Sequence, residues 1–248
     1  MKQMTKWFAG LMAVAMASTS CANQPGGNQT PSDGNKYAGK TFSVLGDSYS
    51  TFQGAVTPDT NYVWYTPDAY ARKSTDVNKV EQVWWNVLAD SMQMKLIRNN
   101  AFSGATISTS GYNHEDYSDR SYFLRAENLG ESADYIFVFG GTNDSWAGAP
   151  IGSYMYDEFP TDSLRTFRPA MALTLKKLKE LYPQSQTVVI INSELRDSIQ
   201  ASQQAIADHY DIPYVMLYDI AKQDGHPTIA GHRAIAEQVI RVMERLGL

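Results

Sequence analysis

Five short strand-forming runs, separated by amphipathic segments, constrain the fold of this 248-residue chain more than any other feature. The runs span residues 41–45, 95–102, 135–139, 187–191 and 214–218, and helical periodicity covers 80–94, 163–181, 197–209 and 228–246. Strands that alternate with helices predict a parallel sheet, and largely apolar runs indicate burial on both faces. We therefore predict one three-layer α/β/α domain over residues 37–248.

Residues 1–20 have a pattern of their own. Lys2 and Lys6 form a basic start, residues 7–17 are apolar, and small residues then lead to Cys21. The apolar run is too short to cross a bilayer, which takes about 20 residues. It matches the core of a secretory signal peptide, so we expect an exported protein from which residues 1–20 are removed.

Cys21 is the single cysteine of the chain. Small residues that run into a cysteine resemble the lipobox of bacterial lipoproteins, although Ser18 stands where that motif usually has leucine. The resemblance implies acylation of Cys21 and a membrane-anchored lipoprotein, periplasmic or at the cell surface. An ordinary cleaved signal peptide with an incidental cysteine is the alternative. Residues 21–36 are predicted to hold the lipidated cysteine and a flexible Gly-, Pro- and Asn-rich tether.

Charge and histidine spacing exclude some partners. The formal net charge is −5, and no basic run is longer than Lys176-Lys177. The sequence therefore lacks the cluster of positive charge that is typical of nucleic-acid-binding proteins. The histidines show no metal-ligand spacing such as His-Glu-x-x-His. We expect no metal and no organic cofactor, and contact with a membrane only through the lipid anchor. The sequence leaves the oligomeric state open.

Four polar motifs lie at one edge of the predicted sheet. Residues 46–50 (GDSYS), 103–105 (SGA) and 141–144 (GTND) each follow a strand, and residues 224–228 (DGHPT) precede the last helix. Chemistry in such sheets gathers at the carboxyl ends of the strands. Taken one at a time, each motif is also typical of a polar turn.

The residue types in these motifs suit acyl transfer. Ser48 ends a strand on a glycine-assisted turn, as a nucleophile would, although Ser50 replaces the second glycine of the α/β-hydrolase elbow. His226 in a loop can act as a base. The Asn143 amide can donate to an oxyanion, and Gly104 lets its backbone N–H approach a ligand closely.

In this chain order the four motifs resemble the SGNH (GDSL-like) hydrolase family, which is named for a Ser, a Gly, an Asn and a His in four blocks. Ser48, Gly104, Asn143 and His226 match these blocks, and their span covers most of the chain. The resemblance implies a flavodoxin-like sheet of five parallel strands. It also implies a serine esterase whose oxyanion is held by the Ser48 and Gly104 N–H groups and the Asn143 amide.

The acid is where the chain departs from the family pattern. The family's acid usually lies three residues before the histidine, where this chain has Gln223, and Asp224 lies only two residues before His226. We predict Asp224 as the third catalytic residue, since Gly225 permits unusual backbone angles. A backbone carbonyl, or Asp219 after the fifth strand, is the alternative partner of the ring.

Aromatic residues near the motifs suggest a substrate. Residues 61–70 (NYVWYTPDAY) follow the nucleophile, and aromatic faces stack on sugar rings. Alternatively, Tyr62, Trp64 and Tyr65 only pack this segment down. Trp146 is a candidate wall of the substrate pocket. The residues on either side of the nucleophile, Asp47 and Tyr49, are the other predicted substrate contacts.

The predicted substrate is therefore an ester, in particular an acetyl ester, on a carbohydrate. Arg120 and Arg125 are candidates for binding the carboxylate of an acidic sugar, or are solvated surface residues. Two alternatives stay open: a lipase or thioesterase of the same fold, and a lipoprotein that binds glycan with little or no turnover.

Overall fold

The predicted sheet is present, with all neighbouring strands parallel. A computed structural model describes residues 35–68 and 75–248. The strands are β1 Thr41–Gly46, β2 Lys95–Ala101, β3 Tyr135–Gly140, β4 Gln186–Ile191 and β5 Tyr214–Met216. Their order in the sheet is β2-β1-β3-β4-β5. This is the flavodoxin-like order, so the predicted fold class is confirmed.

Helices flank the sheet. They are α1 Trp84–Met92, α2 Tyr122–Arg125, α3 Thr142–Trp146, α4 Phe167–Leu181, α5 Asp197–His209 and α6 Ile229–Leu246. Short 3₁₀ helices span Ser48–Ser50, Val80–Gln82, Tyr112–His114, Ser118–Arg120 and Thr161–Arg165. Thr228 caps the last helix, because its side chain accepts a hydrogen bond from the Gly231 N–H at 3.2 Å.

Alternate side chains of each central strand enter two separate cores. In β3, Phe137 and Phe139 pack in the core that contains buried residues of α1 and α6. Ile136 and Val138 point to the other face, into the core shared with α4 and α5. All four side chains are buried, which is why the strand is a continuous apolar run in the sequence.

Two helices begin later than the periodicity predicted. Val83 is extended, with φ −78° and ψ 142°, and separates a 3₁₀ helix from α1. Thr166 is extended in the same way, with φ −113° and ψ 151°, before α4. Apolar periodicity continues through both breaks because it records which side chains face the core, whereas a helix also needs continuous backbone hydrogen bonds.

Residues 1–34 and 69–74 lie outside the described residues. The predicted signal peptide, the lipidated Cys21, nearly all of the tether and the end of the aromatic segment at Tyr70 therefore stay predictions. Residues Asn35–Leu248 form one compact unit, next to the predicted domain start at residue 37. None of the helices in the described ranges has the length and hydropathy needed to cross a bilayer.

Candidate active site

His226 lies on a short hairpin that the periodicity did not predict. Strands β6 Lys222–Gln223 and β7 His226–Pro227 pair antiparallel across a turn formed by Asp224 and Gly225. Both turn residues have positive φ, 50° and 72°, as a two-residue type I′ turn requires. Asp-Gly is a preferred pair for this turn, so the dipeptide was the sequence signal that indicates the hairpin.

The hairpin brings His226 to Ser48 at the carboxyl edge of the sheet. Ser48 begins the 3₁₀ helix that follows β1, and its Oγ lies 3.0 Å from Nε2 of His226. Both residues are nearly buried, at 2% and 5% exposure. In this geometry the ring can accept the hydroxyl proton as Ser48 attacks a carbonyl carbon.

The turn that carries Ser48 is held by its neighbours. A Cβ at Gly46 would lie 2.6 Å from the Oγ of Ser50, so a side chain at position 46 would force the turn to move. Ser50 Oγ accepts a hydrogen bond from Trp84 Nε1 at 3.0 Å, and the Ser50 carbonyl accepts one from Trp85 Nε1 at 2.9 Å. These contacts fix the nucleophile turn against α1.

The acceptor for the second ring nitrogen of His226 is a backbone carbonyl. Nδ1 lies 3.1 Å from the carbonyl oxygen of Asp224, while the side chains of Asp224 and Asp219 are both exposed. Asp224 occupies the left-handed turn position, which leaves its carboxylate in solvent and its carbonyl at the ring. This corrects the prediction that the Asp224 carboxylate orients His226. Because a carbonyl only accepts, Nδ1 carries the proton and the unprotonated Nε2 accepts from the Ser48 hydroxyl.

Asp224→Asn should therefore have a small effect. The backbone carbonyl is retained, and asparagine tolerates the left-handed conformation as well as aspartate. We expect kcat/KM for an activated ester to stay within a few-fold of the wild-type value. A loss approaching the ~10⁴-fold of the serine-protease Asp→Asn example would show that the carboxylate takes part after all. Asp219→Asn is the matched control, since that carboxylate is also exposed.

Asn143 is oriented by hydrogen bonds on both ends of its amide. Its Oδ1 accepts from the Tyr112 hydroxyl at 2.8 Å, and its Nδ2 donates to the Ala105 carbonyl at 2.9 Å. An amide nitrogen has two hydrogens, so one remains for an oxyanion. Tyr112 was not predicted, because no motif includes it.

Gly104 presents its backbone to open space. Its φ is +83°, and a Cβ built there would meet no atom within 4 Å. Within the described part of the chain, the N–H groups of Ser48 and Gly104 have no protein acceptor. Together with Asn143 they form a set of donors that can hold an oxyanion.

Asp144 joins the segment after Gly104 to the Asn143 motif. Its Oδ2 accepts from the Ile107 N–H at 2.7 Å, and its Oδ1 accepts from the Ser108 N–H and hydroxyl at 3.0 and 2.8 Å. Burial raises the pKa of Asp144 to about 6, against the effect of these hydrogen bonds. The carboxyl group thus ties together the two segments that supply oxyanion donors.

Two of the predicted substrate contacts are fully buried and bonded within the protein. Asp47 is fully buried; its Oδ1 accepts from the Tyr49 N–H at 3.0 Å, and burial raises its pKa to about 7. Tyr49 is also fully buried, packs edge-on against Phe139, and donates its hydroxyl to the Gly225 carbonyl. This corrects the prediction: Asp47 caps the nucleophile turn, and Tyr49 supports the hairpin of His226.

The third predicted substrate contact, Trp146, is on the surface beside the base. It is 46% exposed, and its ring lies 5.7 Å from the His226 ring at an angle of 66°. Tyr62, in the aromatic segment, is 66% exposed and packs against Phe102 at 5.3 Å. Trp146 thus presents aromatic surface beside His226, and Tyr62 presents it next to the segment that carries Gly104.

The other aromatic residues of this segment contact the base and its hairpin. Trp64 stacks on His226 with ring centroids 3.6 Å apart and planes inclined by 7°. Tyr65 is buried and donates its hydroxyl to the Pro227 carbonyl at 3.0 Å. The segment therefore combines packing with aromatic exposure, and the position of Trp64 over the base was not predicted.

The buried guanidinium of Arg125 is structural. It donates to the carbonyls of Gly46 and Asn100, at the ends of β1 and β2, and to the carbonyl of Arg120. Arg120 itself pairs with Asp119 at 2.9 Å. Arg125 is therefore not free to bind an acidic sugar, in contrast to the interpretation from sequence.

A serine held by a histidine, with amide donors beside it at the carboxyl edge of a doubly wound sheet, defines a serine hydrolase. The family model for GDSL-like lipase/acylhydrolase matches residues 40–243. The chain belongs to this family, as the four motifs indicated, and is an ester-hydrolysing serine hydrolase.

Solved structures share the fold. The chain is 45% identical to a protein named as a GDSL-like lipase from Bacteroides ovatus ATCC 8483, with TM-score 0.81 over 84% of this chain and 99% of that chain. A similarly named protein from Bacteroides uniformis ATCC 8492 is 46% identical, with TM-score 0.81 over 84% and 96%. A family two carbohydrate esterase from Clostridium thermocellum, in complex with cellohexaose, is 15% identical, with TM-score 0.53 over 86% and 66%. No curated protein matches the chain.

Proposed function

We propose that this protein removes small acyl groups, acetyl above all, from carbohydrate through an acyl-enzyme on Ser48. The proposal rests on the 3.0 Å contact between Ser48 Oγ and His226 Nε2. That contact lies among backbone and amide donors at the same edge of the sheet. Asp224 contributes through its backbone carbonyl.

Acylation follows from this geometry. Ser48 Oγ attacks the ester carbonyl while His226 Nε2 takes its proton, and the oxyanion is held by Ser48 N–H, Gly104 N–H and Asn143 Nδ2. The intermediate collapses when the carbon–oxygen bond to the sugar breaks. His226 then returns the proton to the leaving sugar hydroxyl.

Deacylation reverses these roles with water as the nucleophile. His226 removes a proton from water, the hydroxide attacks the acyl carbon, and the same donors hold the second oxyanion. The bond to Ser48 Oγ breaks, His226 returns the proton to Oγ, and the free acid leaves. The Asp224 carbonyl accepts from Nδ1–H throughout, so that only Nε2 gains and loses a proton.

Burial of the dyad favours a small acyl group. Ser48 and His226 are almost inaccessible, so an acyl group must enter a confined space to reach Oγ. An acetyl group has no chain to accommodate there. A long fatty acyl chain would need a continuous apolar channel that leads to Ser48.

Exposed aromatic surface favours a sugar as the alcohol portion. Trp146 and Tyr62 present large exposed rings, and the Tyr62 carbonyl accepts from the Ser103 N–H at 2.8 Å, next to Gly104. Aromatic faces provide broad apolar contact for the C–H faces of sugar rings. The Clostridium thermocellum esterase is an example in which this fold is associated with a glycan.

A panel of esters tests the proposal. We expect kcat/KM to be highest for p-nitrophenyl acetate and to fall through butyrate, octanoate and palmitate, and acetate to be released from acetylated xylo-oligosaccharides. A maximum at octanoate or longer would indicate a lipase of the same fold, and a preference for acyl thioesters would indicate a thioesterase. Retention of the oligosaccharide without acetate release would indicate a glycan-binding protein.

We also propose that the protein acts outside the cytoplasm as a lipoprotein anchored through Cys21. Support comes from the basic start, the apolar run 7–17 and the small residues before the cysteine. Cys21→Ser should then move the protein from the membrane fraction to the soluble fraction. If the variant still sediments with membranes after a carbonate wash, acylation of Cys21 is not the anchor.

A further inference from the structure

Trp64 covers one face of the His226 imidazole. The two ring centroids lie 3.6 Å apart and the planes are almost parallel, at 7°. We propose that Trp64 is a positioning residue that stabilises the imidazolium form of His226 through a cation–π interaction. This inference rests on the proposed function, in which His226 becomes positively charged at each proton transfer.

The arrangement suits a transient cation. A positive charge delocalised over the imidazole ring lies against the negative face of the indole, and tryptophan gives the strongest interaction of this kind. His226 is only 5% exposed, and this burial strengthens the attraction. In a Ser-His-Asp triad the carboxylate stabilises the imidazolium. Here the acceptor at Nδ1 is the neutral carbonyl of Asp224, and Trp64 supplies electrostatic stabilisation from the ring face.

The position of Trp64 is set by the nucleophile turn itself. The Trp64 N–H donates to Thr51 Oγ1 at 2.8 Å, and the same hydroxyl donates to the Ser48 carbonyl at 2.9 Å. One hydroxyl group therefore connects the backbone of Trp64 to that of Ser48. This link fixes the position of the indole relative to Ser48 and His226, the two partners of the proton transfer.

Several titratable groups near His226 stay neutral around pH 7. Tyr49 and Tyr65 lie 5.4 and 6.5 Å from its ring, and burial raises the pKa of both hydroxyls. Burial also lowers the pKa of His232 to about 3, with the charge of His226 acting in the same direction. These groups do not change charge where His226 is expected to titrate.

Other groups around the site are charged or change charge in that range. Burial raises the pKa of Asp47, next to Ser48, to about 7. On the outer side of Tyr49, the Lys222 ammonium lies 5.9 Å from that ring and pairs with Glu194 at 2.8 Å. Within the described residues, the exposed Asp224 side chain lies in the turn two residues before His226. Because Asp47 can add its own step to a pH–rate profile, the titration of His226 itself has to be observed.

The test measures the pKa of His226 by NMR in protein labelled in its imidazole rings, with His226→Gln to assign the signal. A group that stabilises the charged form raises the pKa, so Trp64→Leu should lower the pKa of His226. The acidic limb of kcat/KM should move to lower pH, and its plateau should fall about 10- to 30-fold. Trp64→Phe keeps a weaker aromatic face. Its His226 pKa and its plateau of kcat/KM should therefore lie between those of the wild type and those of Trp64→Leu.

Fluorinated tryptophan at position 64 gives a test that keeps the shape of the side chain. Each added fluorine weakens the negative potential of the indole face, so the pKa of His226 should fall stepwise with the number of fluorines. Trp146→Leu is the matched control: this ring meets His226 at 66°, without stacking, and its loss should change KM without moving the acidic limb.

The outcomes separate this inference from the proposed function. An unchanged His226 pKa in folded Trp64→Leu, or in the fluorotryptophan series if that variant does not fold, overturns the role of Trp64. A loss of rate that accompanies an unchanged His226 pKa is then the effect of packing alone. If the wild-type protein hydrolyses no ester, the proposed function fails while the NMR titration still decides the effect of Trp64.

Discussion

Ser48→Ala is expected to abolish ester hydrolysis and to leave the fold intact. Loss of the nucleophile in a serine hydrolase lowers kcat by about 10⁶-fold. The substitution removes one hydroxyl and one hydrogen bond, worth about 1 kcal/mol of the free energy of unfolding. The thermal midpoint should therefore shift by no more than about 4 °C. Initial rates with p-nitrophenyl acetate and thermal denaturation measure the two effects.

Ser50→Ala provides a matched control in the same turn. It makes the same chemical change two residues further on, where Ser50 Oγ accepts from Trp84 Nε1 rather than facing the base. We expect lower stability with most of the activity retained. Labelling by a fluorophosphonate probe should persist in Ser50→Ala and be lost in Ser48→Ala. Activity of Ser48→Ala above a few per cent of wild type would rule out Ser48 as the nucleophile.

Asn143→Ala should lower kcat by about 10²–10³-fold with little change in KM. That is the usual effect of removing one oxyanion donor, and it appears in kcat because the donor interacts most strongly with the charge of the transition state. Steady-state kinetics with p-nitrophenyl acetate measures both constants. Because Asn143 is buried and bonded to the Ala105 carbonyl, the thermal midpoint has to be measured alongside.

Tyr112→Phe separates the presence of the Asn143 amide from its orientation. The variant keeps the amide but loses the hydroxyl that holds Oδ1 at 2.8 Å. We expect a smaller fall in kcat, of about tenfold, in line with one neutral hydrogen bond. If Asn143→Ala instead raises KM and leaves kcat unchanged, the amide binds substrate and does not hold the oxyanion.

Local pattern was sufficient for the sheet and for the four polar motifs. Strands such as β3 are apolar throughout because both of their faces are covered. A continuous apolar run of this kind can be recognised directly in the amino-acid sequence. Ser48, Gly104 and Asn143 follow strand ends, so parallel order alone places them at one edge. The Asp224-Gly225 pair also held the signal for the hairpin, since few dipeptides favour two successive positive φ angles.

What sequence patterns did not reveal depends on conformation and long-range packing. Whether Asp224 offers His226 its carboxylate or its carbonyl depends on the handedness of one turn residue, which residue spacing alone cannot express. Asp47 and Tyr49 flank the nucleophile yet are buried, because a 3₁₀ helix turns them inward. Trp64 stacks on His226, although the two residues lie in segments that are far apart in the sequence.

The sequence by itself thus determined the sheet, the edge at which chemistry occurs, and the serine and histidine that meet there. These features follow from periodicity and from the short-range geometry of strand ends. Only the tertiary structure decided what surrounds His226: a backbone carbonyl at Nδ1 and the face of Trp64 against the ring. Both contacts need atoms to be placed to within about an ångström by the packing of separate segments, and no local pattern carries that information.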